Sequence, residues 1–266
     1  MSHEDFLADK TLAARMPRDR IEATVDRAAA QIKAAAAGRS PAFGWSGGKD
    51  SVVIRLLCDR AGIQECVMGI SALEYPAFLR WATAHMPPRL EVIKNHSLNL
   101  DWLAANPHML FPATANIASQ WFHRVQHHAQ TAYARKHKLD LLILGRRRAE
   151  GNYIGVDGSY RKGDLEVLSP IADWSHVLLF AVIQHYKLPL APFYRWPRGY
   201  RCGTHPWPAR QWCRSVQDGW REIHAIDPQI VSYAATKLPS AARFLETIGK
   251  CAVYSGGSEH PAMPVS

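Results

Sequence analysis

Apolar positions in the first 145 residues alternate between two patterns. Continuous short runs at 41–45, 66–70, 90–93 and 139–145 read as strands, and segments with apolar residues at helical spacing lie between them. Val52, Val53, Leu56 and Leu57 recur with the helical period behind the first run, and Gly62 closes that helix. A second helix is expected over 77–85, ending before Pro87 and Pro88. Ahead of the first strand, the alanine-rich stretch 21–37 reads as a helix stopped by Gly38. The longest helical pattern spans 113–138, with Ile117, Trp121, Val125, Ala129 and Ala132 as its stripe. His123, Arg124, His127 and Arg135 fall largely outside that stripe, on a face expected to be solvated. A helix is predicted over 175–186, an ordered proline-punctuated loop beyond Pro189, helix again over 217–250, and a loose tail from 255.

Strand alternating with helix predicts a doubly wound, mostly parallel α/β sheet with a C-terminal loop-plus-helix extension. The expected units are an N-terminal helical segment (1–38), the α/β domain (39–194), an Arg/Trp-rich loop with C-terminal helices (195–254) and a tail (255–266). Ligands on such sheets bind beyond the carboxyl ends of the strands. The patches 46–51 and 145–151 each follow a strand directly, so they are expected to converge on one crevice.

Composition narrows the class. With 47% hydrophobic and 21% charged residues, the 266-residue chain is globular, which excludes extended disorder, collagen and coiled coil. No apolar run approaches the roughly 18 residues of a membrane span. The acidic, polar start MSHEDFLADK is unlike a secretory signal, and the five cysteines lack framework spacing. A reduced, cytoplasmic protein without membrane contact is expected, with homo-oligomerisation open. The net charge of +9 favours an anionic partner. Arg195, Arg198, Arg201, Arg210 and Arg214 lie in one stretch without an acid, interleaved with Trp196, Trp207 and Trp212. That loop suits contact with nucleic acid, a lid over one nucleotide, or packing alone.

Ser46-Gly47-Gly48-Lys49-Asp50-Ser51 sits between a strand and a helix. Paired glycines let successive N–H groups turn into one concavity, and the helix adds the positive end of its dipole. Hydroxyls of Ser46 and Ser51 and the Lys49 ammonium are then expected to bind phosphate oxygens. Asp50 is expected either to cap the helix or to hold a Mg²⁺ that bridges to the phosphates. Arg146, Arg147 and Arg148 follow a strand and can clamp phosphate or sulfate, with two of the three reaching the ligand; a solvated basic turn is the other reading. Asp173-Trp174 reads as a helix cap with a packing aromatic. Cys202, His205, Cys213 and His224 could gather a zinc ion, although their spacing matches no zinc pattern. His123 and His127 share a helix face that can bind metal, but a solvated role for them and for His128 is expected.

These residues carry a resemblance. The glycine loop resembles the pyrophosphate-binding (PP) loop of the adenine nucleotide alpha hydrolase superfamily, and differs from the Gly-x-x-x-x-Gly-Lys-Ser/Thr of Walker loops. Leu73-Glu74-Tyr75-Pro76-Ala77-Phe78, Leu144-Gly145-Arg146-Arg147-Arg148-Ala149-Glu150, Ser169-Pro170-Ile171-Ala172-Asp173-Trp174-Ser175 and Leu188-Pro189-Leu190-Ala191-Pro192-Phe193-Tyr194 are similar to blocks of the phosphoadenylylsulfate (PAPS) reductase branch. The resemblance implies a Rossmann-like domain that binds ATP, or PAPS or its 3′-dephospho form APS, at 46–51, with Mg²⁺ accompanying ATP. The chain departs from that branch in carrying Ser71-Ala72-Leu73 where Asp-Thr-Gly is usual. Cys251 is followed by Ala252-Val253-Tyr254 in place of the reductase's Cys-Gly-x-His, and no two cysteines are adjacent. No iron–sulfur cluster is therefore expected. Cys202, beside Arg201 and His205, is the candidate nucleophilic thiol. The expectations are action at the phosphate or phosphosulfate end of an adenine nucleotide, adenylation of a nucleic-acid base, or non-catalytic nucleotide sensing.

Overall fold

A computed structural model describes residues 3–196 and 204–255. The first helices are α1 (His3–Ala8) and α2 (Arg18–Ala36). They precede β1 (Pro41–Gly44), α3 (Lys49–Ala61), β2 (Glu65–Ser71), α4 (Pro76–His85) and β3 (Arg89–Asn95). Next come α5 (Leu100–Ala105), α6 (Ala115–Phe122), α7 (His128–His137), β4 (Leu141–Ile143), β5 (Ser159–Lys162), β6 (Leu165–Leu168) and α8 (His176–His185). The C-terminal part is α9 (Val216–Ile226), α10 (Pro228–Ala235) and α11 (Pro239–Ser255).

The strands form one six-stranded sheet in the order β3-β2-β1-β4-β6-β5, parallel except for the edge strand β5. This is the mostly parallel α/β architecture that the sequence predicts. Helices α2, α3 and α8 pack together on one face. The segment from α6 to α7 covers the other, where Ala129 and Tyr133 meet Ala42 and Val67. Phe43, Cys66 and Met68, the alternate positions on β1 and β2, point into the main core with Trp45, Val53 and Leu57. Covering on both faces is why these strands read as continuous apolar runs.

Three expectations about elements are corrected. The helix over 113–138 is interrupted at His123–His127 by a π-helical turn, which inserts one residue and separates α6 from α7. Helix over 217–250 is three helices, broken at Asp227-Pro228 and before Pro239. Because proline lacks the N–H that would continue a preceding helix, it sits at the first turn of α10. The hairpin β5–β6, turning at Gly163-Asp164, and the short helices α1 and α5 had no counterpart in the apolar pattern.

Candidate functional site

Strands β1 and β4 are parallel neighbours whose chain connections leave toward opposite edges of the sheet. At such a switch point the loops diverge and leave a crevice beyond the strand ends. A cleft of about 570 Å³ opens there, lined by the β1–α3 turn, the segment after β4, Gln126 and Phe122 from the opposite face, Tyr194, and Gln211 with Trp212. The two patches expected to converge, 46–51 and 145–151, both contribute to its wall.

The turn is built by its glycines. Gly47 adopts φ 69°, in the left-handed region, and a Cβ there would lie 2.6 Å from the Trp81 ring. Trp81 in turn stacks on Trp45, with centroids 5.7 Å apart, so the loop rests on an aromatic floor. Gly48 precedes α3 and offers no side chain to cap it, which leaves the Asp50 and Ser51 amides of the first turn available. Some amides of the loop are already bonded. Ser46 N–H donates to Ser51 Oγ (3.1 Å), Gly48 N–H to Ser46 Oγ (3.4 Å) and Lys49 N–H to the Tyr194 hydroxyl (2.7 Å). The amides of Gly47, Asp50 and Ser51 make no hydrogen bond among the described residues. The hydroxyls expected to reach phosphate are turned inward, with Ser46 Oγ donating to Ser51 Oγ (3.3 Å) and Ser51 Oγ to the Gly48 carbonyl (2.9 Å).

Asp50 does not cap α3. Its Oδ1 accepts from Arg147 Nε (2.6 Å) and its Oδ2 from Lys49 Nζ (2.7 Å). Glu150 also receives both cations, Lys49 Nζ and Arg147 Nη2, the latter at 2.8 Å. Lys49 and Arg147 are buried, at 4% and 0% exposure, so each of these two cations is held by two carboxylates out of water. Close approach makes this possible: a Cβ on Gly145 would stand 2.9 Å from Asp50 Cβ and 3.0 Å from its carbonyl carbon.

The three arginines diverge. Arg147 is wholly enclosed and also donates to the Trp174 carbonyl (3.2 Å), so it is no open clamp. Arg148 pairs with Asp173 and donates to the carbonyls of Gly155 and Val156, away from the cleft. Arg146 alone of the three lines the cleft, contrary to the expected two. It donates to the Tyr160 hydroxyl (2.8 Å) and to His127 Nε2 (2.8 Å). Because Arg146 can only donate, His127 Nε2 is the acceptor, and the proton on Nδ1 is the one shared with His123 Nδ1 at 2.7 Å. The solvated reading is thus wrong for His127, which is half-buried; burial, with Arg146 beside it, pushes its pKa down to about 4. The cap before α8 is Ser175, whose Oγ accepts from Leu178 N–H, while Asp173 pairs with Arg148.

Cys202 lies outside the described residues. His205, Cys213 and His224 do not come together, and the described residues contain no cluster of three or more metal-ligating side chains. Within the Arg/Trp-rich stretch, Trp207 is buried and Arg210 is enclosed against Glu222 (2.6 Å), so these two are packing residues, not ligand contacts. Trp212 is 65% exposed at the mouth of the cleft with φ 62°, a conformation rare for a bulky side chain. Sequence reasoning quoted Glu150 and Tyr194 within motifs but gave neither a role at the site. Their signal was position, three residues after Arg147 and at the end of the Leu-Pro block.

No protein-family model matches the chain, and no curated protein does. Among solved structures, the chain is similar to a phosphoadenylyl-sulfate reductase from Candida auris in a phosphate complex, with 11% identity over 68% of this chain and 92% of that one, and a TM-score of 0.49. It is also similar to an NH3-dependent NAD synthetase from Campylobacter jejuni, at 17% identity over 94% and 100% of the two chains and a TM-score of 0.43. A U34-tRNA thiolase from Methanococcus maripaludis, determined with its four-iron, four-sulfur cluster, shares 15% identity over 85% and 80%, with a TM-score of 0.44.

Proposed function

We propose that the protein is an enzyme that binds an adenine nucleotide across the cleft, with the phosphate tail on the first turn of α3, and acts at the phosphate end. The observation that carries this reading is the trio of amides from Gly47, Asp50 and Ser51, which have no partner among the described residues at the positive end of an uncapped helix. Arg146 adds a cation in the cleft that no carboxylate pairs among the described residues. With ATP, attack by an acceptor at the α-phosphorus would break the bond to the pyrophosphate oxygen and leave the acceptor adenylated. The amides and Lys49 would stabilise the charge gathering on the departing pyrophosphate.

The donor set also fits a Mg²⁺ arriving with the nucleotide. Asp50 and Glu150 border the cleft, and Mg²⁺ typically takes one or two carboxylates plus substrate phosphates. That ion would supply further charge to the departing oxygens. A sulfonucleotide would instead need a thiol to attack sulfur. Cys58 and Cys66 do not suit, since burial raises both thiols, Cys66 to about 12, and Cys202 remains the residue named for that route.

The test is a melting-temperature panel with ATP, ADP, AMP, APS and PAPS, with and without Mg²⁺. One or more of these should raise the transition, and Arg146→Met should weaken that ligand about tenfold, the cost of one charged hydrogen bond. A panel in which no nucleotide shifts the transition would sink the reading. Stabilisation without release of pyrophosphate or sulfite, whatever the acceptor, would reduce the protein to a sensor.

A further inference from the structure

Behind the wall of the cleft, reaching it only at Gln126, lies a buried polar relay with no part in the reading above. Glu74 and His205 have side chains only 1% and 2% exposed. An isolated antiparallel bridge between Glu74 and Pro206, with Trp207 N–H donating to the Leu73 carbonyl (2.9 Å), brings them face to face. Glu74 Oε1 accepts from the Ser71 amide (2.7 Å) and hydroxyl (3.0 Å), and its Oε2 meets His205 Nδ1. The imidazole lies flat against Phe78, with centroids 4.5 Å apart. Its Nε2 is 2.7 Å from Nε2 of Gln126, a residue of the π-helical turn that is 5% exposed and lines the cleft.

Donor and acceptor rules orient the whole relay. The Glu74 carboxylate can only accept, so His205 carries its proton on Nδ1. The Gln126 amide nitrogen also lies 3.4 Å from the Gly69 carbonyl oxygen, which tolerates a donor and repels an oxygen. His205 Nε2 is therefore the acceptor from Gln126, and the imidazole is neutral. Both N–H groups of Gln126 are directed inward, and its Oε1 makes no hydrogen bond among the described residues. A carboxylate and an imidazole are costly to bury, so stability alone is a weak reason for the pair.

We infer that Gln126 presents its carbonyl oxygen to the cleft as a fixed acceptor, and that Glu74 and His205 are positioning residues that keep the amide from turning over. The site then selects a ligand with an N–H or O–H donor at that point. The inference rests on the adenine nucleotide reading, and of the donors outside the phosphates it takes the 6-amino group of the base or the ribose 2′-hydroxyl as the one read.

Equilibrium titration of the full chain with ATP, ITP and dATP tests it. The wild type should bind ITP about tenfold more weakly than ATP if the amine is read, or dATP so if the 2′-hydroxyl is read. Gln126→Met should lower ATP affinity to that of the discriminated analogue and leave the analogue's own affinity unchanged. Glu74→Gln, held by Ser71 at its oxygen, places an NH2 opposite His205 Nδ1, drives the ring proton to Nε2 and turns the Gln126 amide. Loss of the ATP preference in that variant is expected, whereas a purely structural Glu74 would change the melting temperature and keep the preference. A wild type that takes all three nucleotides equally, or a preference retained in both variants, overturns the inference and leaves nucleotide binding standing. A wild type that binds none of the three overturns both.

Discussion

Lys49, Asp50, Arg147 and Glu150 form a set in which each cation meets both carboxylates, and His176 Nε2 lies 3.9 Å from Glu150 Oε1. Removing one member leaves charges without partners in a region poor in water. Arg147→Met should therefore destabilise the fold by about 3 kcal/mol or more, read by urea denaturation; a loss below about 1 kcal/mol would mean the set contributes little. Gly145→Ala forces a methyl onto Asp50 and should cost roughly 1–3 kcal/mol, with weaker nucleotide binding in the same protein. At this scale the sequence located the chemistry but not its direction. Arg147 has extended backbone angles (φ −131°, ψ 139°), and successive side chains of an extended chain point to opposite sides. Three consecutive arginines thus reach three destinations, and only the close approach of Gly145, just after β4, to Asp50 at the start of α3 decides which one is enclosed.

The π-helical turn shows how one extra residue changes an element's face. Read as uniform α-helix, the segment puts His127 with the solvated residues; in the structure His127 is half-buried and held by Arg146 and His123. Its folded pKa of about 4 lies below the ordinary 6.5, so the unfolded chain binds the extra proton first. Stability should be intact above pH 6.5 and fall as the pH drops toward about 4, and His127→Gln should flatten that part of a pH–denaturation profile. An unchanged profile would show that the ring is not held neutral. Elements with strong apolar runs were legible to within a few residues, α3 with its Gly62 stop being one case. The β5–β6 hairpin was not, although Gly163-Asp164 is a turn signal. Its outer strand β5 carries the exposed Arg161 and Lys162 at the sheet's edge, where burial imposes no apolar pattern.

For the molecule as a whole, the order of the strands matters most, because it places the first and fourth strands side by side and sets the cleft between them. The doubly wound class and the meeting of 46–51 with 145–151 were legible, because strand alternates with helix and both patches follow strands; the strand order itself was not. The walls contributed by Gln126, Tyr194 and Trp212 come from distant parts of the chain and have no local signature. With Asp50 and Glu150 each facing two cations, Mg²⁺ alone should bind weakly by calorimetry, and ATP should restore its uptake; tight binding of the free ion would contradict the assigned donors. The +9 charge keeps a nucleic-acid partner in view. Binding to RNA or DNA should fall steeply with salt, and absence of binding at low salt would remove that partner. A mononucleotide faces a different situation. The four charges beneath the glycine loop sum to zero before any ligand enters, so an incoming phosphate must exchange places with a resident carboxylate to win Lys49. Added electrolyte loosens the resident pairs and the newcomer together, and nucleotide affinity should therefore respond to ionic strength more gently than the surplus of basic residues suggests.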